Sequence, residues 1–150
     1  MSHLAKMCGV ACGAAAIFLA GACGTADRMN HSRMLAEETG AIQTIRTIHT
    51  AQVQYFSQYG AYAKSLSQLG PSTNGPPGAQ AADLIPADLA GGVKLGYKFS
   101  LEAAGQKYSI QARPVTYGKT GNRSFYSDES MILRQSSEDA PATAQSPEVK

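Results

Sequence analysis

Between Ala36 and Tyr62 apolar side chains return at helical intervals. Ile42, Ile45, Ile48, Val53, Phe56 and Tyr59 follow three- and four-residue steps, with one five-residue step. This spacing predicts an amphipathic helix over about Glu37–Gln58. The opposite face carries Gln43, Thr44, Arg46, Thr47, Thr50 and Gln54. With so few charges it implies a helix laid against something rather than free in solvent. Thr39-Gly40 marks either the start of the helix or a weak point within it, because glycine inside a helix is about 1 kcal/mol worse than alanine. Gly60 fits the C-terminal cap.

Beyond the helix the pattern breaks up and then changes period. Ala61–Leu69 predicts a short helical turn, Pro71–Gly78 a loop, and Asp83–Gly92 a second short turn closed by glycines. Tyr97, Phe99 and Leu101 then alternate with Lys98 and Ser100, and Tyr108, Ile110 and Ala112 alternate with Ser109, Gln111 and Arg113. Two strands joined at Glu102–Gly105 follow from this period of two, and Pro114 ends the second. Arg123–Ser127 and Ser130–Arg134 predict a second hairpin around a tight turn at Asp128-Glu129. The fold class is α+β, one helix packed on a roughly four-stranded antiparallel sheet. Its expected core is Ile45, Ile48, Val53, Phe56, Tyr97, Phe99, Tyr108, Ile110 and Phe125. Residues 135–150, rich in Ser, Glu, Ala, Pro and Gln, read as a disordered tail.

Composition narrows the function classes. Net charge is +2, with Lys and Arg scattered rather than clustered, which argues against nucleic acid as a partner. The cysteines are Cys8, Cys12 and Cys23, all ahead of the predicted domain, so no disulfide framework holds it together. Lys6 followed by the apolar run Met7–Ala22 has the shape of a secretory signal. The run is too short and too glycine-rich to read as a membrane span. It ends Leu19-Ala20-Gly21-Ala22-Cys23, and small residues directly before a cysteine resemble the lipobox of bacterial lipoproteins. That likeness implies a lipid on Cys23, with plain cleavage after Ala22 and an uncleaved anchor as alternatives. In diderm bacteria, Gly24 after the lipidated residue implies sorting to the outer membrane. The expected organisation is a signal over 1–22, a lipid-anchored tether over 23–35, a domain over 36–134 and the tail.

Three stretches carry a family resemblance. They are Ala41–Tyr62, with its Ala-Ile, Arg46, Ile48, Thr50-Ala51, Tyr55 and Tyr59-Gly60; Gly96–Phe99 with Tyr108–Pro114; and Gly121–Asp128. Together they resemble the globular domain of type IV pilins and pseudopilins over roughly two-thirds of the chain. The family's N-terminal Gly-Phe-Thr-Leu-x-Glu segment is missing, and Glu37 and Glu38 lie too late to stand in for its glutamate. The resemblance implies a pilin-like domain whose polymerising segment is replaced by a lipoprotein-type signal. The function expected is therefore that of a non-enzymatic, lipid-anchored envelope protein working through protein–protein contacts. The alternative is a pilus or secretion-pseudopilus subunit. Its partners would be the membrane, through the anchor, and pilus or secretion-system proteins.

No catalytic group, cofactor, metal or small-molecule substrate is expected. His49 sits on the helix with nothing marking a nucleophile or an orienting carboxylate for it, and reads as a structural side chain. Some pseudopilins bind calcium near the region of Asp128-Glu129, but neither these residues nor Asp83 and Asp88 have the alternating spacing of a calcium loop. They read as turn residues.

Overall fold

A computed structural model of the chain describes the backbone of residues 22–150 and the side chains from residue 27 onward. The molecule is α+β, one long helix and a five-stranded antiparallel sheet. Helix α1 spans Ala22–Tyr59, α2 Leu66–Leu69 and α3 Ala87–Ala90. The strands are β1 Val93–Lys94, β2 Tyr97–Ala104, β3 Lys107–Pro114, β4 Ser124–Asp128 and β5 Arg134–Ser136, in the spatial order of the chain.

α1 starts well before the predicted boundary. Residues 23–35, expected as a tether, are helical. They contain no proline, and extending an existing helix needs only one bond per residue once the nucleus has formed. Arg33 and Glu37 add an i,i+4 ion pair at 2.8 Å. The helix also runs straight through Gly40, where a Cβ would meet Leu95 Cδ1 at 2.6 Å. Leu95 lies in the space that this glycine leaves. At the other end Gly60, with φ +70°, donates its N–H to the Phe56 carbonyl at 2.8 Å and closes the helix.

The buried stripe of α1 is Ala41, Ile45, Ile48, Gln52 and Tyr55, so the predicted stripe holds only in its first half. Val53 is 48% exposed, Tyr59 lies at the surface, and Phe56 is half-buried. The five-residue step from Ile48 explains the error. At about 100° per residue it carries Val53 about 140° away from Ile48, whereas Gln52 and Tyr55 return to within about 40°. Gln52 is fully buried because it satisfies a backbone: its Nε2 donates to the Ala63 carbonyl at 2.9 Å and its Oε1 accepts from Ala63 N–H at 2.8 Å.

β2 and β3 pair as expected, with Phe99 opposite Ala112 and Leu101 opposite Ile110. Their turn is tighter than predicted, because Glu102–Ala104 remain in the ladder. The inward faces of β2 and β3, with Phe125 of β4, meet Ile45, Ile48 and Tyr55 in one core. Seven of the nine expected core residues are buried, Val53 and Phe56 being the exceptions.

The second hairpin is displaced. β4 pairs with Arg134–Ser136, not with Ser130–Arg134. Asp128 Oδ1 accepts from Ser130 N–H at 3.0 Å, and Met131, with φ +62°, donates its N–H to the Asp128 carbonyl. That loop uses the residues that pattern alone assigns to a strand, and leaves Met131 56% exposed. Nor is 135–150 a disordered tail. Gln135 N–H donates to Pro147 O, and Val149 N–H to Leu133 O, both at 2.9 Å, so the returning chain covers the outer edge of β5. Ser124 Oγ donates to Ala140 O at 2.6 Å, and Ala142 is buried. A polar segment becomes ordered here because an unpaired strand edge offers it backbone partners.

Candidate functional site

Two clusters of buried polar side chains join α1 to the sheet. The first begins with Glu38, which occupies the apolar phase of the helix one turn before Ala41. A carboxylate there leaves water and needs partners. It has two hydrogen bonds and an ion pair: Asn122 N–H donates to Oε1 at 2.9 Å, Arg123 Nε donates to Oε2 at 2.8 Å, and Arg123 Nη2 lies 2.6 Å from Oε2. Arg123 Nη1 also donates to Gln135 Oε1 at 2.8 Å, and the guanidinium lies 5.6 Å from the Phe125 ring centroid. The Arg123 carbonyl accepts from the Tyr97 hydroxyl at 2.8 Å. Burial, with help from the Glu38 charge, pushes the Tyr97 phenol above its ordinary range. The signal for Glu38 in the sequence is its register, since it extends the Ala41, Ile45, Ile48 stripe backward.

The second cluster centres on His49, buried between α1 and the sheet. Its Nε2 lies 2.8 Å from Ser127 Oγ and its Nδ1 2.6 Å from the Tyr108 hydroxyl. Ser127 commits its own proton to the Ile132 carbonyl at 3.0 Å. Nε2 must then carry the imidazole proton and donate to Ser127, while Nδ1 accepts from Tyr108. Desolvation holds His49 below its ordinary pKa, partly opposed by the Asp128 carboxylate. Burial is also the main reason that the Tyr108 phenol rises to about 12. Rings continue the contact: His49–Tyr108 at 5.5 Å, Tyr108–Tyr62 at 4.7 Å and Tyr62–Phe56 at 4.8 Å.

A serine and a histidine at 2.8 Å have the spacing of a nucleophile and its base. Ser127 is only 1% exposed, however, and the orienting group on Nδ1 is a phenol rather than a carboxylate. The geometry stabilises a neutral imidazole and satisfies every polar atom around it, as a polar tie between layers does.

The remaining sequence candidates are dispersed. Cys8 and Cys12 lie outside the described residues. Cys23 falls in the first turn of α1, and its side chain is likewise outside them. His31 is exposed on α1. Asp88 pairs with Lys94 at 3.0 Å beside β1, and that bond holds its carboxyl below the usual range. Asp128 ends β4 instead, and Glu129 follows it in the loop to β5. Among the described residues no three His, Cys, Asp or Glu side chains come together to hold a metal ion. No described helix is long and apolar enough to cross a membrane. No protein-family model, curated protein or solved structure matches this chain.

Proposed function

We propose that this chain is a non-enzymatic, lipid-anchored protein of the bacterial cell envelope that presents a pilin-like domain for contact with other proteins. The observation that carries the reading is the form of α1. The chain is already helical at Ala22, next to the proposed lipid-bearing Cys23, and among the described side chains the first buried one is Glu38. Some 16 residues of helix, about 24 Å at 1.5 Å per residue, separate the anchor point from the packed part of the domain. A helical stalk holds the domain at a fixed height, which suits a protein that must meet a partner at a set distance from a membrane. The buried polar groups fit the same reading, since Glu38 and His49 each tie α1 to the sheet side of the domain through hydrogen bonds.

The continuity of α1 also favours a second reading, that of a filament subunit. A pilin carries its apolar N-terminal segment on the same helix as its domain, and α1 runs without a break at Gly24 toward the apolar residues Met7–Ala22. The mass of the mature N-terminus in a membrane fraction separates the two. An acylated Cys23, with Cys23→Ser lost from the membrane fraction, supports the anchored protein. An unacylated chain that retains Met7–Ala22 and is recovered in sheared filaments overturns it in favour of the subunit.

A further inference from the structure

The two edges of the sheet end differently. The returning chain covers the outer edge of β5, through Gln135 N–H to Pro147 O and Val149 N–H to Leu133 O. At the other edge β1 has two residues and pairs only with Tyr97 and Lys98 of the eight-residue β2. Phe99 N–H then reaches the Gly92 carbonyl at 2.7 Å. Backbone groups alternate in direction along a strand. Gly96 O accepts from Val115 N–H at 2.8 Å, so the even-numbered residues of β2 bond toward β3. Leu101 and Ala103 therefore turn their N–H and carbonyl groups past the end of β1, and among the described residues no backbone group pairs with them. Leu101 is 6% exposed, and main-chain groups so deep are almost always paired. Ser100, Glu102 and Ala104, on the outward side of the same stretch, are exposed.

The outward side chains form rows across the strands. Lys98 stands opposite Arg113, beside β1. In the next row Ser100 faces Gln111, which faces Tyr126, which faces Arg134, itself paired with Glu148 at 3.4 Å. In the third row, toward the β2–β3 turn, Glu102 faces Ser109, which faces Asp128. Glu129 follows Asp128. Lys107 approaches it at 4.0 Å but is 82% exposed. Glu102, Asp128, Glu129 and Lys107 line a hollow of about 390 Å³, together with Ala103 and Ala104 of the unpaired edge. Three carboxylates against one ammonium give this end of the sheet a negative field.

We infer that the edge of β2 at Leu101–Ala103 takes an extended segment of a partner protein as an added strand, with Lys or Arg at the position facing Glu102. The inference rests on the reading of the chain as a contact protein, and names the kind of partner. An added strand brings carbonyl and N–H groups to Leu101 and Ala103 at the ordinary strand spacing of about 4.8 Å. Charge selects the occupant. A second copy of this chain, paired antiparallel so that Leu101 meets Ala103 in both directions, sets Glu102 directly opposite Glu102, which is destabilising. A basic strand gains a cross-strand ion pair at that position instead, and Asp128 and Glu129 attract it from the same face.

The probes are a short synthetic peptide alternating valine with arginine, the same peptide N-methylated along its backbone, and a valine–glutamate counterpart. Each is titrated into the full chain in detergent micelles, and amide hydrogen exchange is read at Leu101 and Ala103. The inference expects saturable binding of the valine–arginine peptide, slowed exchange at both amides, and no binding of the N-methylated form. Glu102→Lys should weaken the valine–arginine peptide roughly tenfold and admit the valine–glutamate one. Ala103→Pro removes a donor at an edge position where proline is tolerated, and should abolish binding while the thermal melt stays close to wild type. Should it misfold, the charge swap at Glu102 carries the test. Equal binding of the N-methylated peptide, without protection at Leu101 and Ala103, reduces the site to charge and overturns the added strand. Protection that rises with protein concentration, without peptide, assigns the edge to a second copy and overturns it too. Absence of peptide binding overturns the inference and leaves the anchor to the fractionation of Cys23→Ser. A chain that binds the peptide but carries no lipid on Cys23 overturns the anchor alone.

Discussion

The guanidinium of Arg123 donates a hydrogen bond from Nε to Glu38 Oε2 at 2.8 Å and closes an ion pair through Nη2 at 2.6 Å, joining the middle of α1 to the start of β4. The Glu38 side chain is 5% exposed and that of Arg123 31%. Removing one partner of a buried pair leaves the other charge uncompensated, at a cost of about 3–5 kcal/mol when both are fully buried. The partial exposure of Arg123 lowers the expectation for Arg123→Ala to about 2–3 kcal/mol. Glu38→Gln keeps an acceptor for Asn122 N–H and should cost less. Urea-denaturation midpoints of the two variants test this order.

Two glycines should respond oppositely to alanine. At Gly40 the new methyl meets only Leu95 Cδ1, the tip of a half-exposed side chain that can turn aside. Helix propensity then dominates, so Gly40→Ala should be neutral or stabilise by up to about 1 kcal/mol. At Gly121 the methyl would lie 2.8 Å from Cζ of Tyr97, a fully buried ring held by its bond to Arg123 O. Overpacking of this kind costs about 1–3 kcal/mol. Thermal melts of the two variants should move in different directions, and a large loss at Gly40→Ala would mean that Leu95 is fixed.

His49 should make stability depend on pH. Its folded-state pKa lies below the ordinary 6.5, so the unfolded chain takes up the proton first. Stability therefore falls as pH drops through about 6.5 toward the folded pKa, and the contribution is fully present above that window. A protonated ring would have donors on both nitrogens. Tyr108 would have to turn its hydroxyl to accept, and the charge would be offset chiefly by Asp128. His49→Gln should be less stable than the wild type at pH 7.5 but lack most of the decline between about pH 6.5 and 5. Urea midpoints over that range measure the difference, and parallel curves would discount His49 as the titrating group.

Truncations along α1 should separate the true stripe from the predicted one. Ile48 is fully buried, and Ile48→Ala should cost about 2–5 kcal/mol. Phe56 rests on Tyr62 at the rim, and Phe56→Ala should fall below the 3–5 kcal/mol typical of a buried phenylalanine. Val53, half exposed, should be within about 0.5 kcal/mol of neutral. Equal losses at Ile48 and Val53 would place the helix in the rotation that the apolar pattern alone predicts.

Local pattern by itself determined the class of this fold. The return of Ile42, Ile45 and Ile48 identified a helix, and the alternation through Tyr97–Leu101 and Tyr108–Ala112 identified a hairpin and its inward face, though not the position of its turn. Both are statements about which face a side chain occupies, and backbone geometry sets that period directly. What the pattern missed depended on contacts between residues far apart in the chain. Gln52 is buried because Ala63 returns to meet it, and Glu38 because Arg123 arrives from β4. The 135–150 segment is ordered because β5 has an open edge, and β5 itself is placed by the loop that Asp128 organises. In each case a polar group is drawn inside by a partner that its neighbours in sequence do not reveal. An apolar residue needs only to leave water, and its period is enough to place it. A buried polar residue must find its particular donor or acceptor, and only the tertiary structure supplies one.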